Sequence, residues 1–209
     1  MKVSVSILRN KDDKEKIIKA LNHTHTDFIH LDIIDDTFSL MPSFKLEDIS
    51  KIKNNIPYDI HIMSKNLDYQ INEAIKLKPY MITIQMEHMK KLNKYIDLIK
   101  KNNIKVGLAI NPKTSLFRIK KYINKIDYIL IMSVEAGLGG QKFIPKVIKK
   151  IDKLNKIRTN LLIGVDGGIN YETAKLVVDK VDIMVVGSYV TLSDSYEDQI
   201  LKLKHLKNN

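Results

Sequence analysis

The sequence predicts a (β/α)8 barrel, and three observations carry that expectation. Short runs rich in β-branched residues alternate with longer amphipathic runs along the chain. Eight short runs are each followed by a longer one. Polar residues able to do chemistry stand at the ends of several short runs. At 209 residues the chain is near the lower end for this fold and is read as one barrel domain over residues 1–209. A doubly wound open sheet is the architectural alternative. In both folds ligands gather at the carboxyl ends of the strands.

Taken in order, the expected strands cover 3–7, 28–33, 58–62, 81–85, 106–110, 128–132, 161–165 and 183–186. The helical candidates between and after them lie near 12–22, 46–54, 67–77, 88–102, 114–124, 146–157, 171–179 and 194–206. The sixth helix shows the pattern best: Ile144, Val147, Ile148, Ile151 and Leu154 recur at helical spacing. Asn111-Pro112 ends the fifth strand, and Thr114-Ser115 reads as the start of the helix after it. No linker or low-complexity segment interrupts the alternation.

Composition removes several function classes. Hydrophobic residues make up 44% of the chain, enough for a sizeable core. With no cysteine, disulfides, zinc–thiolate sites and thiol nucleophiles are excluded together. The stretch Met1 to Leu8 has no signal-peptide character, and no segment offers the roughly 18 uninterrupted apolar residues of a membrane helix. The expectation is a soluble cytoplasmic protein with no membrane partner. The formal charge of +11 raises nucleic-acid binding. Only three arginines (Arg9, Arg118, Arg158) contribute to it, and lysines such as Lys146, Lys149, Lys150 and Lys153 fall on expected helix surfaces. Readers of phosphate and bases favour arginine's fork, so no nucleic-acid partner is expected. A positive field also attracts a phosphorylated metabolite.

The stretch Phe28 to Asp36, FIHLDIIDD, reads as a buried strand, yet His30 and Asp32 stand two apart in it and so share one face. His61 ends the third expected strand, and Asp166 follows the seventh. Singly, a strand histidine is more often a hydrogen-bonded core residue, and an Asp before Gly-Gly more often a turn residue. Together, two imidazoles and two carboxylates at one barrel face make a divalent metal site, for Zn, Fe(II), Mn or Co. A metal would also satisfy a buried His and Asp that are otherwise costly.

A second group is glycine-rich. Gly137, Gly139 and Gly140 follow the sixth strand, Gly167 and Gly168 the seventh, and Gly187-Ser188 the eighth. Backbone N–H groups in such turns can cradle a phosphate, which barrels often bind after strands 7 and 8. The plainer account is that these glycines only permit tight turns.

These residues resemble those of the ribulose-phosphate 3-epimerase family. Ser6-Ile7-Leu8 is similar to its Pro-Ser-Ile-Leu opening, with Val5 in place of proline. His30-Leu31-Asp32 with Asp35 resembles His-x-Asp-x-Met-Asp-Gly. Asp59-Ile60-His61-Ile62-Met63 resembles Asp-x-His-Leu-Met. Ala109-Ile110-Asn111-Pro112 matches a segment after strand 5. Met132 to Phe143, MSVEAGLGGQKF, resembles Met-[Ser/Thr]-Val-x-Pro-Gly-Phe-Gly-Gly-Gln-Lys-Phe. Val165 to Ile169 and Gly187-Ser188 complete the set.

The resemblance implies an isomerase that interconverts D-ribulose 5-phosphate and D-xylulose 5-phosphate in the pentose phosphate pathway, through an enediolate stabilised by one divalent metal ion. His30, Asp32, His61 and Asp166 would hold the metal, with Asp32 and Asp166 also the acid–base pair on opposite faces of the substrate. Ser6 and His61 would contact substrate, and Met63 and Met132 would pack near the reacting carbons or serve as ordinary core. Backbone around Gly139, Gly140, Gly167, Gly168, Gly187 and Ser188 would hold the phosphate, and the loop from Gly137 to Phe143 would close as a lid. Asn111 and Gln141 are further polar candidates. Family members commonly associate, so a homo-oligomer is expected.

The departures from the family pattern cluster. Asp36-Thr37-Phe38-Ser39-Leu40-Met41 replaces Gly-His-Phe-Val-Pro-Asn, placing an extra negative charge at Asp36. Gln85 stands where a histidine often follows strand 4, although Glu87 remains. Ala136 and Leu138 replace a proline and a phenylalanine, and Gly164 replaces a glutamate. None of the four candidate ligands is lost. The rewritten loop leaves room for a related ketose phosphate, such as allulose 6-phosphate, or for a barrel that binds sugar phosphates without turning them over.

Overall fold

The strands pair in sequence order and close on themselves. The computed structural model describes residues 1–8, 13–40, 43–87, 91–137, 140–158 and 160–206. In it β1 (Lys2–Ser6), β2 (Phe28–Ile34), β3 (Tyr58–Met63), β4 (Met81–Gln85), β5 (Lys105–Ile110), β6 (Tyr128–Met132), β7 (Leu162–Asp166) and β8 (Ile183–Val186) form a closed parallel barrel, with β8 pairing back onto β1. Helices α1 (Lys14–Leu21), α2 (Leu46–Ile49), α3 (Leu67–Lys76), α4 (Leu92–Lys101), α5 (Ile148–Asn155), α6 (Tyr171–Lys175), α7 (Ser188–Thr191) and α8 (Tyr196–His205) lie between and after the strands.

The two-residue period of each strand sorts its side chains into two layers. Residues of one parity, such as Leu31, Ile60, Ile82 and Ile129, pack with Ile18, Ile71, Ile96 and Ile151 of the helices. Residues of the other parity fill the barrel, and that interior is itself two-sided. Strands β5, β6 and β8 supply Ala109, Tyr128, Leu130, Met132, Ile183 and Val185. Strands β1 to β4 supply Ser4, Ser6, His30, Asp32, Asp59, His61, Thr83 and Gln85, all buried. A polar half-wall on consecutive strands is expensive unless its members satisfy one another or hold a ligand.

Tyr128 explains one departure in the sequence. Its ring spans the barrel floor between two glycines: a methyl group on Gly164 would overlap the Tyr128 hydroxyl, and one on Gly107 would lie 2.8 Å from its ring. The glycine at 164 thus makes room for the tyrosine. Gly164→Ala is expected to cost about 1–3 kcal/mol by overpacking. Tyr128→Leu in the same chain should recover much of that loss, giving a clearly non-additive double-mutant cycle in urea unfolding. Additive losses would mean that the two sites do not share this space.

Strands β4, β6 and β8 have the expected bounds, and the others shift by one residue at one or both ends. Several helices are shorter. The expected helix at 114–124 is instead two 3-10 segments, Leu116–Arg118 and Lys120–Lys125. Ser115 Oγ accepts from the Phe117 N–H there, Phe117 is 81% exposed, and the lysines leave too narrow an apolar face to anchor an α-helix. The expected helix at 46–54 stops at Ile49. Asn54 then closes on the backbone of Ile56, and Pro57 disfavours a helical conformation at Ile56. Helix α6 ends at Lys175 rather than near 179. The expected helix starts at 12 and at 88 lie outside the described residues. No helix among the described residues is long and apolar enough to cross a membrane.

Candidate active site

Strand register brings the four candidate ligands together. Asp32 is level with His61, Ser6 with His30, and Met132 with Asp166. All four side chains project inward at the carboxyl end, and one ligand atom from each of His30, Asp32, His61 and Asp166 lies within 4.8 Å of the others.

Three of these side chains, His30, Asp32 and His61, are held by neighbours. His30 Nδ1 is 2.8 Å from Asp59 Oδ2, which also accepts from Ser4 Oγ at 3.0 Å; His30 Nε2 is 3.2 Å from Asp32 Oδ1. Ser6 Oγ donates to Asp32 Oδ2 at 2.8 Å. His61 Nε2 is 2.9 Å from Gln85 Oε1, so its other nitrogen, Nδ1, faces the cluster. That atom is 3.4 Å from Asp32 Oδ1, long for a hydrogen bond, and is buried without a hydrogen-bond partner. The set therefore fits a divalent cation: two ring nitrogens turned inward, two carboxylates, and an orphaned buried lone pair among them.

The electrostatics separate the two carboxyl groups. Burial pushes the Asp32 carboxyl upward, but the charge of His30 and its hydrogen bond prevail and hold it far below the usual carboxylate range. Burial and then the charge of Asp32 push Asp166 up to about 7. For His30, burial opposes the charged form, and the carboxylates of Asp59 and Asp32 override it, raising its pKa well above the ordinary value.

The cluster floors a cleft of about 660 Å3, a size that suits a small metabolite. Ser6, Asp32, Met63, Met132 and Asp166 line it, as do Gly137, Gly140, Gly167, Gly168, Gly187 and Ser188. Gly139 lies outside the described residues. The glycines differ in kind. Gly137, Gly140, Gly167 and Gly168 have φ of +101°, +77°, +113° and +64°, so turn geometry alone accounts for them. Gly187 has φ −106°, and a methyl group there would meet nothing nearer than 3.7 Å. Packing does not demand glycine at 187; what its absent side chain leaves bare is the cleft.

A model of the ribulose-phosphate 3-epimerase family matches residues 2–191. The chain belongs to the ribulose-phosphate 3-epimerase family. A ribulose-phosphate 3-epimerase from Buchnera aphidicola subsp. Baizongia pistaciae is 36% identical, over 88% of this chain and 85% of that protein. One from Helicobacter pylori J99 is 31% identical over 100% and 97%. Among solved structures, the tryptophan synthase alpha subunit of Legionella pneumophila superposes with a TM-score of 0.70 at 14% identity, covering 100% of this chain and 93% of that one, a likeness of fold alone. Family membership makes the protein an isomerase, a pentose-phosphate epimerase whose substrate is a phosphorylated sugar.

Against the epimerase pattern, the rewritten loop after β2 has a clear local logic. Asp35 accepts from Thr37, Ser64 and Gln70 and pins the turn, while Asp36 is exposed to solvent. The Phe38 ring lies where a methyl group on Gly137 would touch it at 3.2 Å, so this loop packs against the start of the β6 loop. Asn111, a candidate substrate contact, does not line the cleft. Its Oδ1 accepts from the Ala136 N–H at 3.0 Å and ties that same loop down. Gln141 does line the cleft, and its Nε2 donates to the Glu135 carbonyl. The residues that sequence reasoning left without roles are Asp59, Gln85 and Glu87. For Asp59 a signal existed: it stands two before His61 and shares its face.

Proposed function

We propose that the protein interconverts D-ribulose 5-phosphate and D-xylulose 5-phosphate, passing the C3 proton between Asp32 and Asp166 at a divalent-metal site formed by His30, Asp32, His61 and Asp166. The observation that carries the reading is the convergence of these four residues with the His61 Nδ1 lone pair unpartnered among them. When bound, the cation would supply Lewis-acid stabilisation of the charge that develops on the substrate oxygens.

The chain's own groups account for the rest. Inverting a carbon beside a ketone requires removal of its proton from one face and delivery of another to the opposite face. Without a cation, Asp32 is ionised at neutral pH, while Asp166, pushed up to about 7, can carry a proton. One base and one acid are thus in place, and they exchange roles with the direction of reaction. Ser6 fixes the Asp32 carboxylate, and Met63 and Met132 give the cleft an apolar wall beside the two aspartates. The bare backbone at Gly187, with Gly167, Gly168 and Ser188, suits the phosphate end.

Incubating the metal-supplemented protein with D-ribulose 5-phosphate in D2O should place deuterium at C3 as D-xylulose 5-phosphate appears in the NMR spectrum. Turnover of allulose 6-phosphate but not of ribulose 5-phosphate would move the assignment to that ketose. Tight binding of either without exchange would identify a sugar-phosphate binder.

A further inference from the structure

We infer that Gln85, oriented by Glu87, is a positioning residue that keeps His61 protonated on Nε2 and so keeps its Nδ1 lone pair turned toward the metal position. This rests on the reading of His30, Asp32, His61 and Asp166 as a metal site.

Glu87 is buried in the turn just after β4, and its Oε1 accepts both the backbone N–H of Asn111, at 2.9 Å, and the Thr114 hydroxyl. Lys150, on α5, adds a positive charge nearby, its ammonium held by the carbonyls of Asn111, Pro112 and Thr114 at 2.7–2.9 Å. Glu87 is therefore an acceptor on every side, and its Oε2 meets the side chain of Gln85. A carboxylate accepts only, so the Gln85 group that faces it must be the NH2. The Gln85 oxygen then faces the other way, 2.9 Å from His61 Nε2. An amide oxygen also only accepts, so Nε2 must carry the proton. The opposite tautomer would set two lone pairs against each other inside a fully buried pair. It would also put a proton on Nδ1, occupying the lone pair that faces the ligand cluster and that a cation would need. The relay from Asn111 and Thr114 through Glu87 and Gln85 thus selects the ring form that can bind a cation.

The same pairing of donors with acceptors explains why glutamine can stand where the resembling sequences often have histidine. A neutral imidazole also presents one acceptor and one donor, on opposite edges. Either residue can accept from His61 and donate to Glu87. A residue lacking either function cannot.

The test begins with metal-free, 15N-labelled protein, where long-range 1H–15N correlations report the tautomer of the His61 ring. The wild-type ring is expected as the Nε2–H form. Gln85→Leu should give mixed tautomers and weaken Zn2+ and Co2+ binding by roughly 10–100-fold. Gln85→His should restore the Nε2–H form and affinity within a few-fold. Glu87→Gln, which frees the Gln85 amide to turn over, provides a second route if the leucine variant does not fold, and should also mix the tautomers. A wild-type ring protonated on Nδ1 overturns the inference, as does an unchanged tautomer in a folded Gln85→Leu or Glu87→Gln protein. Failure of the wild type to bind any divalent cation would instead overturn the metal reading, and the tautomer measurement would still decide the relay.

Discussion

Asp166→Asn and Asp32→Asn are each expected to lower kcat by roughly 10^2–10^4-fold while leaving the barrel folded, since that is what a positioned acid or base contributes. The two variants should differ in detail. Asp32 touches Ser6, His30 and His61, so its amide variant disturbs a network as well as a proton carrier. It should weaken metal binding measurably. Asp166 has no such partners among the hydrogen bonds of the described residues and faces the cleft, so Asp166→Asn is the cleaner probe of proton transfer. With Asp32 still able to remove and return a proton on its own face, Asp166→Asn should exchange C3 hydrogen with D2O in one epimer without inverting it. Exchange without inversion is the signature of two carboxylates working from opposite faces. Near-normal epimerisation in either variant would remove the two-aspartate mechanism, and NMR of C3 deuteration against product formation reads both outcomes at once.

What the sequence shows of this site follows strand parity. His30 and Asp32 stand two apart in an apolar run, so their common face is legible without a structure, and Asp59 and His61 repeat the pattern on the next strand. The eight-fold alternation of short and long apolar runs likewise carries the barrel. The relay behind His61 is not legible in that way. Gln85 and Glu87 share a face too, but the direction of the Gln85 amide is decided by Asn111 and Thr114 arriving on another loop. The pairing of Tyr128 with Gly164 is hidden for a related reason: Gly164 is in register with Leu130, and Tyr128 reaches it diagonally across the sheet. The 114–124 segment misleads because Leu116, Ile119, Tyr122 and Ile123 have helical spacing, whereas only Ile119 and Tyr122 find full burial. Propensity and spacing describe one segment at a time, and these three features are settled between segments.

Removing and restoring the divalent cation should change stability with a definite pH sense. A cation at 100 times its Kd contributes about 2.7 kcal/mol, or roughly 5–10 °C in Tm for a chain of this size. Chelation should also lower turnover by roughly a few hundred-fold, as loss of about 3–4 kcal/mol of transition-state stabilisation requires. Two groups set the pH trend. Asp166 is raised from its ordinary carboxyl range to about 7, so the stability that it contributes without metal is complete below pH ~4 and is lost as pH rises through 7. His30 is also raised, so its contribution is complete below pH ~6.5 and is lost only as pH passes its folded value. Both groups therefore weaken the metal-free fold as pH rises. A cation reverses both effects, because it binds the ionised carboxylate and the neutral imidazole and competes with protons for each. The increase in Tm on adding Zn2+ or Mn2+ should accordingly be larger at pH 8 than at pH 6. Scanning calorimetry on chelated and reloaded protein at the two pH values measures the difference directly. A larger increase at pH 6 would mean that the cation binds somewhere other than at His30 and Asp166.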